Sequence, residues 1–178
     1  MAIKSKDKIY FDTDCLSSFL WTNSQSILVQ LYGDRVFVPT LVLDEIRKVP
    51  FLQGQLTRYL NTGLIQTENF GIKDDPFNIY KLLILGDNEH PKIGQGEAAV
   101  IALAKCNEAT MASNNLKDIS YYIEYYNLNN ITTADILHEA VQNNVITQLE
   151  ADALWQKMIL CRRNLPYQSY SEWLQHNN

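Results

Sequence analysis

GQGEAAVIALA, residues 94–104, sets a single carboxylate, Glu97, in the first turn of an otherwise apolar, alanine-rich helix. Gly94 and Gly96 are expected to let the backbone turn tightly into that helix. Ala98, Ala99, Ala102 and Ala104 permit close packing, and Val100, Ile101 and Leu103 supply buried bulk. A carboxylate this near a buried face is costly unless something pairs with it. A hard cation is one partner, because such ions take carboxylate oxygens. The simpler account is an acid favoured by the helix dipole.

Around this helix, strand-like and helix-like segments alternate. Lys8–Phe11 reads as a short buried strand, and Thr13 or Asp14 caps the helical pattern that follows, with Leu16, Phe19, Leu20, Ile27, Leu28 and Leu31 at helical spacing. Gly33-Asp34 is a turn and Arg35–Val38 a second strand. Pro39 opens a helix carrying Glu45, and Pro50 stops it. Helices are expected over 52–60, over 75–85 ending at Gly86, and over 116–126, 133–143 and 148–163. Leu64–Thr67, Thr110–Ser113 and Leu128–Thr132 read as extended. No hairpin turn joins two strands, so the pattern predicts a three-layer α/β/α sandwich around a central parallel sheet. One domain over residues 1–164 is expected, with a tail over 165–178 that docks through Pro166, Tyr167, Tyr170 and Trp173.

The chain has 178 residues, 46% hydrophobic and 20% charged, which is the composition of a domain with a real core. A net charge of -5 argues against holding long bare duplexes by charge alone. It does not exclude a nuclease, because metal-ligating acids contribute to that count. Basic clusters occur at Lys4, Lys6 and Lys8, at Arg47, Lys48 and Arg58, and at Arg162 and Arg163; such clusters are more often solvated faces than binding sites. Cys15, Cys106 and Cys161 are far apart and form no CxxC, which reads as reduced thiols in a cytoplasmic protein. No signal core precedes the first strand, and no run reaches the roughly 18 apolar residues of a membrane span.

Ligand sites of parallel sheets form beyond the carboxyl ends of strands. Asp12 and Asp14 follow the first strand, Glu45 lies in the helix after the second, Asp118 opens the helix after Ser113, and Glu97 opens its own helix just before that strand. Sequence-distant carboxylates at one sheet edge suit Mg²⁺ or Mn²⁺. Taken one at a time these acids have plainer readings. Glu45 can pair with Lys48 at i+3, Asp118 can be a helix N-terminal acid, and Asn114 and Asn115 can shape a turn.

IYFDTDCLSSFLW, VFVPTLVLDEI, GQGEAAVIALA, TMASNNLKDI and NITTADILHEAVQNNVIT, in this order, resemble the motifs of PIN-domain proteins. The resemblance spans about residues 8–160. It implies a three-layer α/β/α fold and metal-dependent cleavage of single-stranded RNA, as well as kinship with the toxins of type II toxin–antitoxin pairs. It carries over Asp12, Glu45 and Glu97 as the acids of the site. Asp14 stands where many relatives have Asn. Many relatives also have Asp directly after the strand matching Thr110–Ser113, where this chain has Asn114 and Asn115; the fourth ligand is then Asp118 or a neutral Asn115. The implied catalytic set is Asp12, Glu45, Glu97 and Asp118, with Asp12, Glu97 and Asp118 on the metal and Asp14 and Asn115 as additional ligands. An ion-bound water would attack the scissile phosphate, and Arg47 and Lys48 would contact RNA on a local basic rim. The rival expectation is a non-catalytic module that binds RNA or a protein. An antitoxin and a second copy in a homodimer are the protein partners to consider, since Tyr121, Tyr122, Tyr125 and Tyr126 read more readily as packing or a subunit contact than as base-stacking groups. His90 and His138 have no metal-ligand spacing with any partner, and no hydrolase triad or phosphate loop is present.

Overall fold

The computed structural model describes residues 7–177; Lys4 and Lys6 lie outside them. Strands β1 (Ile9–Phe11), β2 (Val36–Pro39), β3 (Gln66–Glu68), β4 (Thr110–Ala112) and β5 (Asn129–Ile131) form one sheet in the order β3-β2-β1-β4-β5. Every pairing is parallel. The helices are α1 (Thr13–Trp21), α2 (Ser26–Tyr32), α3 (Thr40–Arg47), α4 (Pro50–Asn61), α5 (Asp75–Leu85), α6 (Gln95–Cys106), α7 (Leu116–Tyr126), α8 (Thr133–Gln142), α9 (Gln148–Leu160) and α10 (Tyr170–Asn177). The expected α/β/α sandwich with a central parallel sheet is the architecture observed.

The strand order fixes where a site can form. The chain winds outward from β1 through β2 to β3, then returns to the other side of β1 for β4 and continues to β5. The winding direction therefore reverses between β1 and β4, and the carboxyl ends of these two strands border a crevice. β1 is fully buried at Ile9, Tyr10 and Phe11. Each such side chain contributes about 1.5–3 kcal/mol through removal from water. α6 is buried nearly all round: Gly96 and Ala98–Ala104 are covered, with only Glu97 of this run half-exposed. A helix apolar on every face belongs inside the protein. The small alanines let α5, α3 and the sheet approach it together.

Several local expectations change. The cap of α1 is Asp12, whose carboxylate accepts the Cys15 N–H, and not Thr13 or Asp14. The apolar spacing from Leu16 to Leu31 is split into α1 and α2, because Asn23 adopts a left-handed φ of 54° and the Thr22 hydroxyl bonds back to the Ser18 carbonyl. α3 already ends at Arg47, and Pro50 starts α4 at a position where its missing N–H costs nothing. Lys8 does not stand as a solvated cluster; it pairs with Glu68 at 2.7 Å, and the buried Tyr10 hydroxyl donates to the same carboxylate.

After α9 the chain returns along the same helix. Trp155 is fully buried, and its indole N–H donates to the Tyr167 carbonyl at 2.9 Å. Tyr170 is buried beside it, and Asp152 accepts from the Ser171 N–H at 2.8 Å. Trp155→Ala removes this bulk and orphans the carbonyl. We expect a loss of about 3–5 kcal/mol in urea denaturation; a loss below about 1 kcal/mol would show that residues 165–177 are held by other contacts.

Candidate functional site

At the β1–β4 crevice, Asp12 is 3% exposed. Its backbone N–H donates to the Ala112 carbonyl at 3.0 Å, which extends the β1–β4 ladder by one residue. Its side chain takes two donors, the Cys15 N–H at 2.7 Å on Oδ1 and the Ser113 hydroxyl on Oδ2. Even so, burial pushes its carboxyl up to about 7, with the charges of Asp14 and Glu97 adding to the effect and the two donors opposing it. A carboxylate at this point is short of positive charge.

Asp12 lines a cavity of about 250 Å³ together with Thr13, Asp14, Glu45, Gly94, Gly96 and Glu97. Every charged residue among these is an acid. Glu45 reaches in from α3 and accepts from the Thr13 hydroxyl on Oε2. The plainer reading, a pair of Glu45 with Lys48, is not found among the described residues; on α3 the ion pair is Asp44–Arg47, at 3.0 Å on the exposed side. Glu97 turns back on its own helix end and accepts the Gly94 N–H at 3.0 Å, while its other oxygen accepts from Asn115 Nδ2 at 2.5 Å. The helix dipole and these donors make a carboxylate tolerable there.

The glycines act through space rather than through turn geometry. Gly94 has an ordinary φ of -67°. A Cβ at Gly94 would lie 3.0 Å from Glu97 Oε2, and one at Gly96 would lie 3.0 Å from both Glu45 carboxylate oxygens. The two side chains could not take these positions against alanine without moving.

The remaining site residues are less central. Asp14 is exposed on the cavity rim and lies 3.6 Å from the Arg163 guanidinium. Asp118 is exposed and does not line the cavity; it meets the site through Asn115 Nδ2, which donates to it at 2.8 Å and to Glu97 as well. Asn114 serves the fold: its amide donates to the Thr133 hydroxyl at 2.9 Å and accepts the Thr133 N–H at 2.8 Å, tying the β4 end to α8. Arg47 and Lys48 are exposed and line no part of the cavity. His90 bonds Asp87 and His138 bonds Tyr170. Of the tyrosines on α7, Tyr122 is buried and donates to the Pro91 carbonyl, while Tyr121 and Tyr125 stack on each other facing outward. Thr13, Ser113 and the two glycines as spacers are the site groups that sequence reasoning missed. Adjacency to Asp12 and Glu97 was the only signal for Thr13 and the glycines, and Ser113 had only its place at the end of a strand.

The donor chemistry fits a hard divalent ion, since the charged groups of the walls offer carboxylate oxygens alone. Among the described residues no three His, Cys, Asp or Glu side chains are gathered as a ligand cluster.

A model of the family DUF3368, a PIN domain, matches residues 8–178. No curated protein matches the chain. With nearly its whole length covered, the chain belongs to the PIN-domain family. That family has a nuclease-like fold and generally uses divalent metal ions. No helix among the described residues is long and apolar enough to cross a membrane.

Two outcomes follow from this geometry. Because the Asp12 carboxyl is raised from 3.8 to about 7, the folded protein holds a proton there that the unfolded chain releases. Between these values stability must fall as pH rises, by up to a few kcal/mol. Urea denaturation in EDTA should show this decline in the wild type, and Asp12→Asn should flatten it; equal pH slopes in the two proteins would dismiss a buried, raised Asp12. Gly96→Ala should fold, with helix propensity offsetting about 0.5–1 kcal/mol of strain. It should nevertheless weaken Mn²⁺ binding in calorimetry by displacing Glu45, and unchanged affinity would remove Glu45 from the site.

Proposed function

We propose that this PIN-domain chain is a Mg²⁺- or Mn²⁺-dependent endoribonuclease of single-stranded RNA, acting in the cytoplasm, with Asp12, Glu45 and Glu97 as its principal metal-holding acids. The observation that carries this reading is the cavity at the β1–β4 crevice whose charged lining is carboxylate only. A bound divalent ion supplies there a polarised water and positive charge against the phosphate. The chain's own part is to hold the acids in place. Ser113 and the Cys15 N–H orient Asp12, Thr13 orients Glu45, and Asn115 with the Gly94 N–H orients Glu97. The fixed geometry lowers the reorganisation needed when the ion and substrate arrive.

Asp118 is proposed as an outer acid that acts through Asn115, and Asp14 as a rim acid. Arg47 and Lys48 remain proposed RNA contacts away from the cavity. A toxin restrained by a small antitoxin is the narrower form of the same reading. A second reading is a non-catalytic module that binds RNA or a protein. The neutral Asn115 amide between Glu97 and Asp118 favours it, since it leaves the site with fewer charges to draw an ion.

The test is cleavage of varied single-stranded RNAs by purified protein in Mn²⁺, Mg²⁺ and EDTA. Asp12→Asn and Glu97→Gln should each slow cleavage on the order of a hundredfold or more. Asp118→Asn should lose less, about tenfold or under, because it touches the site only through an amide. Cleavage that survives EDTA or either of the first two substitutions rejects the metal-held mechanism. A folded wild type that cleaves nothing in either ion transfers the assignment to the binding module.

A further inference from the structure

The turn that closes α9 aims an arginine at α1, beside an acid that lines the cavity. Arg162 takes a left-handed φ of 59°. Its N–H bonds the Ile159 carbonyl at 2.8 Å, and the Arg163 N–H bonds the Met158 carbonyl at 2.9 Å. This is the Schellman ending of a helix, in which the left-handed position is usually glycine. An arginine there is strained, and strain persists where surrounding structure over-determines it. What the turn achieves is the direction of the next residue. Arg163 points back across the fold to α1, where Nη1 donates to the Ser17 hydroxyl at 3.0 Å and Nε donates to the Cys161 carbonyl at 3.2 Å.

Arg163 is therefore not a solvated helix end: its side chain is only 22% exposed, and it stands beside Asp14, an acid of the cavity rim. Nη1 lies 3.6 Å from Oδ1 of Asp14, which lines the cavity. That contact is long and Asp14 is largely in water, so the pair holds little energy of its own. A phosphate oxygen can replace it, since guanidinium binds phosphate through two parallel donors. The charged lining of the cavity is acidic, so a phosphate flanking the one that meets the ion is repelled unless a cation meets it at the entrance.

Resting on the ribonuclease reading, we infer that Arg163 is the phosphate-gripping residue of this cleft. It holds a non-bridging oxygen of an RNA phosphodiester in place of Asp14, while Ser17 and the Cys161 carbonyl keep the guanidinium aimed. Arg162 bears the strain of the turn and does not touch the RNA.

The experiment is fluorescence anisotropy of a short fluorescein-labelled single-stranded RNA in Mg²⁺, in an Asp12→Asn background that slows turnover, with cleavage kinetics measured in proteins that keep Asp12. Arg163→Ala should raise Kd about ten- to a hundredfold. It should also lower the slope of log Kd against log salt by about 0.7, the value for one phosphate contact on a single strand. In cleavage, KM should rise more than kcat falls. Arg162→Gly removes the same charge and fits the left-handed turn, so it should bind like the parent. Arg163→Lys covers early melting of the alanine variant: severalfold weaker binding at an unchanged Tm supports the assignment, and parental affinity overturns it. If the parent binds and the wild type cleaves while Arg163→Ala and Arg163→Gln keep affinity and salt slope, this inference alone falls. If the wild type neither binds nor cleaves RNA, the ribonuclease reading falls and takes it along.

Discussion

The buried carboxyl of Asp12 ties three parts of the fold together. It caps α1 through the Cys15 N–H, it accepts the hydroxyl that ends β4, and its own backbone continues the β1–β4 pairing. A buried acid is expensive unless donors surround it. Two donors reduce that cost without removing it, as the raised pKa records. The angle of α1 and the register of the central strands are therefore set around a buried acid that also lines the cavity.

Sterics complete what electrostatics begins. α6 passes close to α3, and at Gly96 a methyl group would crowd the Glu45 carboxylate out of its position. Its alanines allow the same closeness to the sheet and to α5. The acids come together because the helices carrying them have small residues at the contacts. Their hydrogen-bond partners are residues of the same loops and helix starts: Thr13 beside Asp12, Gly94 before Glu97, Asn115 at the head of α7.

Much of this was legible in the sequence. Alternation of short apolar runs with helical spacing gave the parallel sheet, and the acids at strand ends pointed to one crevice. Asp12, Glu45 and Glu97 do line one cavity there. The misreadings have physical causes. Glycine before a helix suggests a turn, whereas close approach of a distant side chain leaves no local trace at Gly96. An acid followed by Thr and Asp offers three caps, and only the folded geometry selects Asp12. Serine and threonine are too common to mark Ser113 or Thr13 as donors. Asp118 had the right place in the chain, but a helix start exposes such a residue as readily as it buries it. The double arginine after α9 looked like a solvated end because a left-handed turn at a non-glycine residue cannot be read from sequence.

The enclosure of α6 has a further consequence. Many enzymes carry their chemistry on mobile segments, so that local loosening silences them well below the melting temperature. Here Glu97 stands on a helix wrapped by the sheet, α3 and α5, and Gly96 beside it is covered. The first turn of α6 cannot wander while the core is intact. Loss of the site's geometry on heating and collapse of the fold then become a single event, and the temperature limit of the site is that of the hydrophobic interior itself.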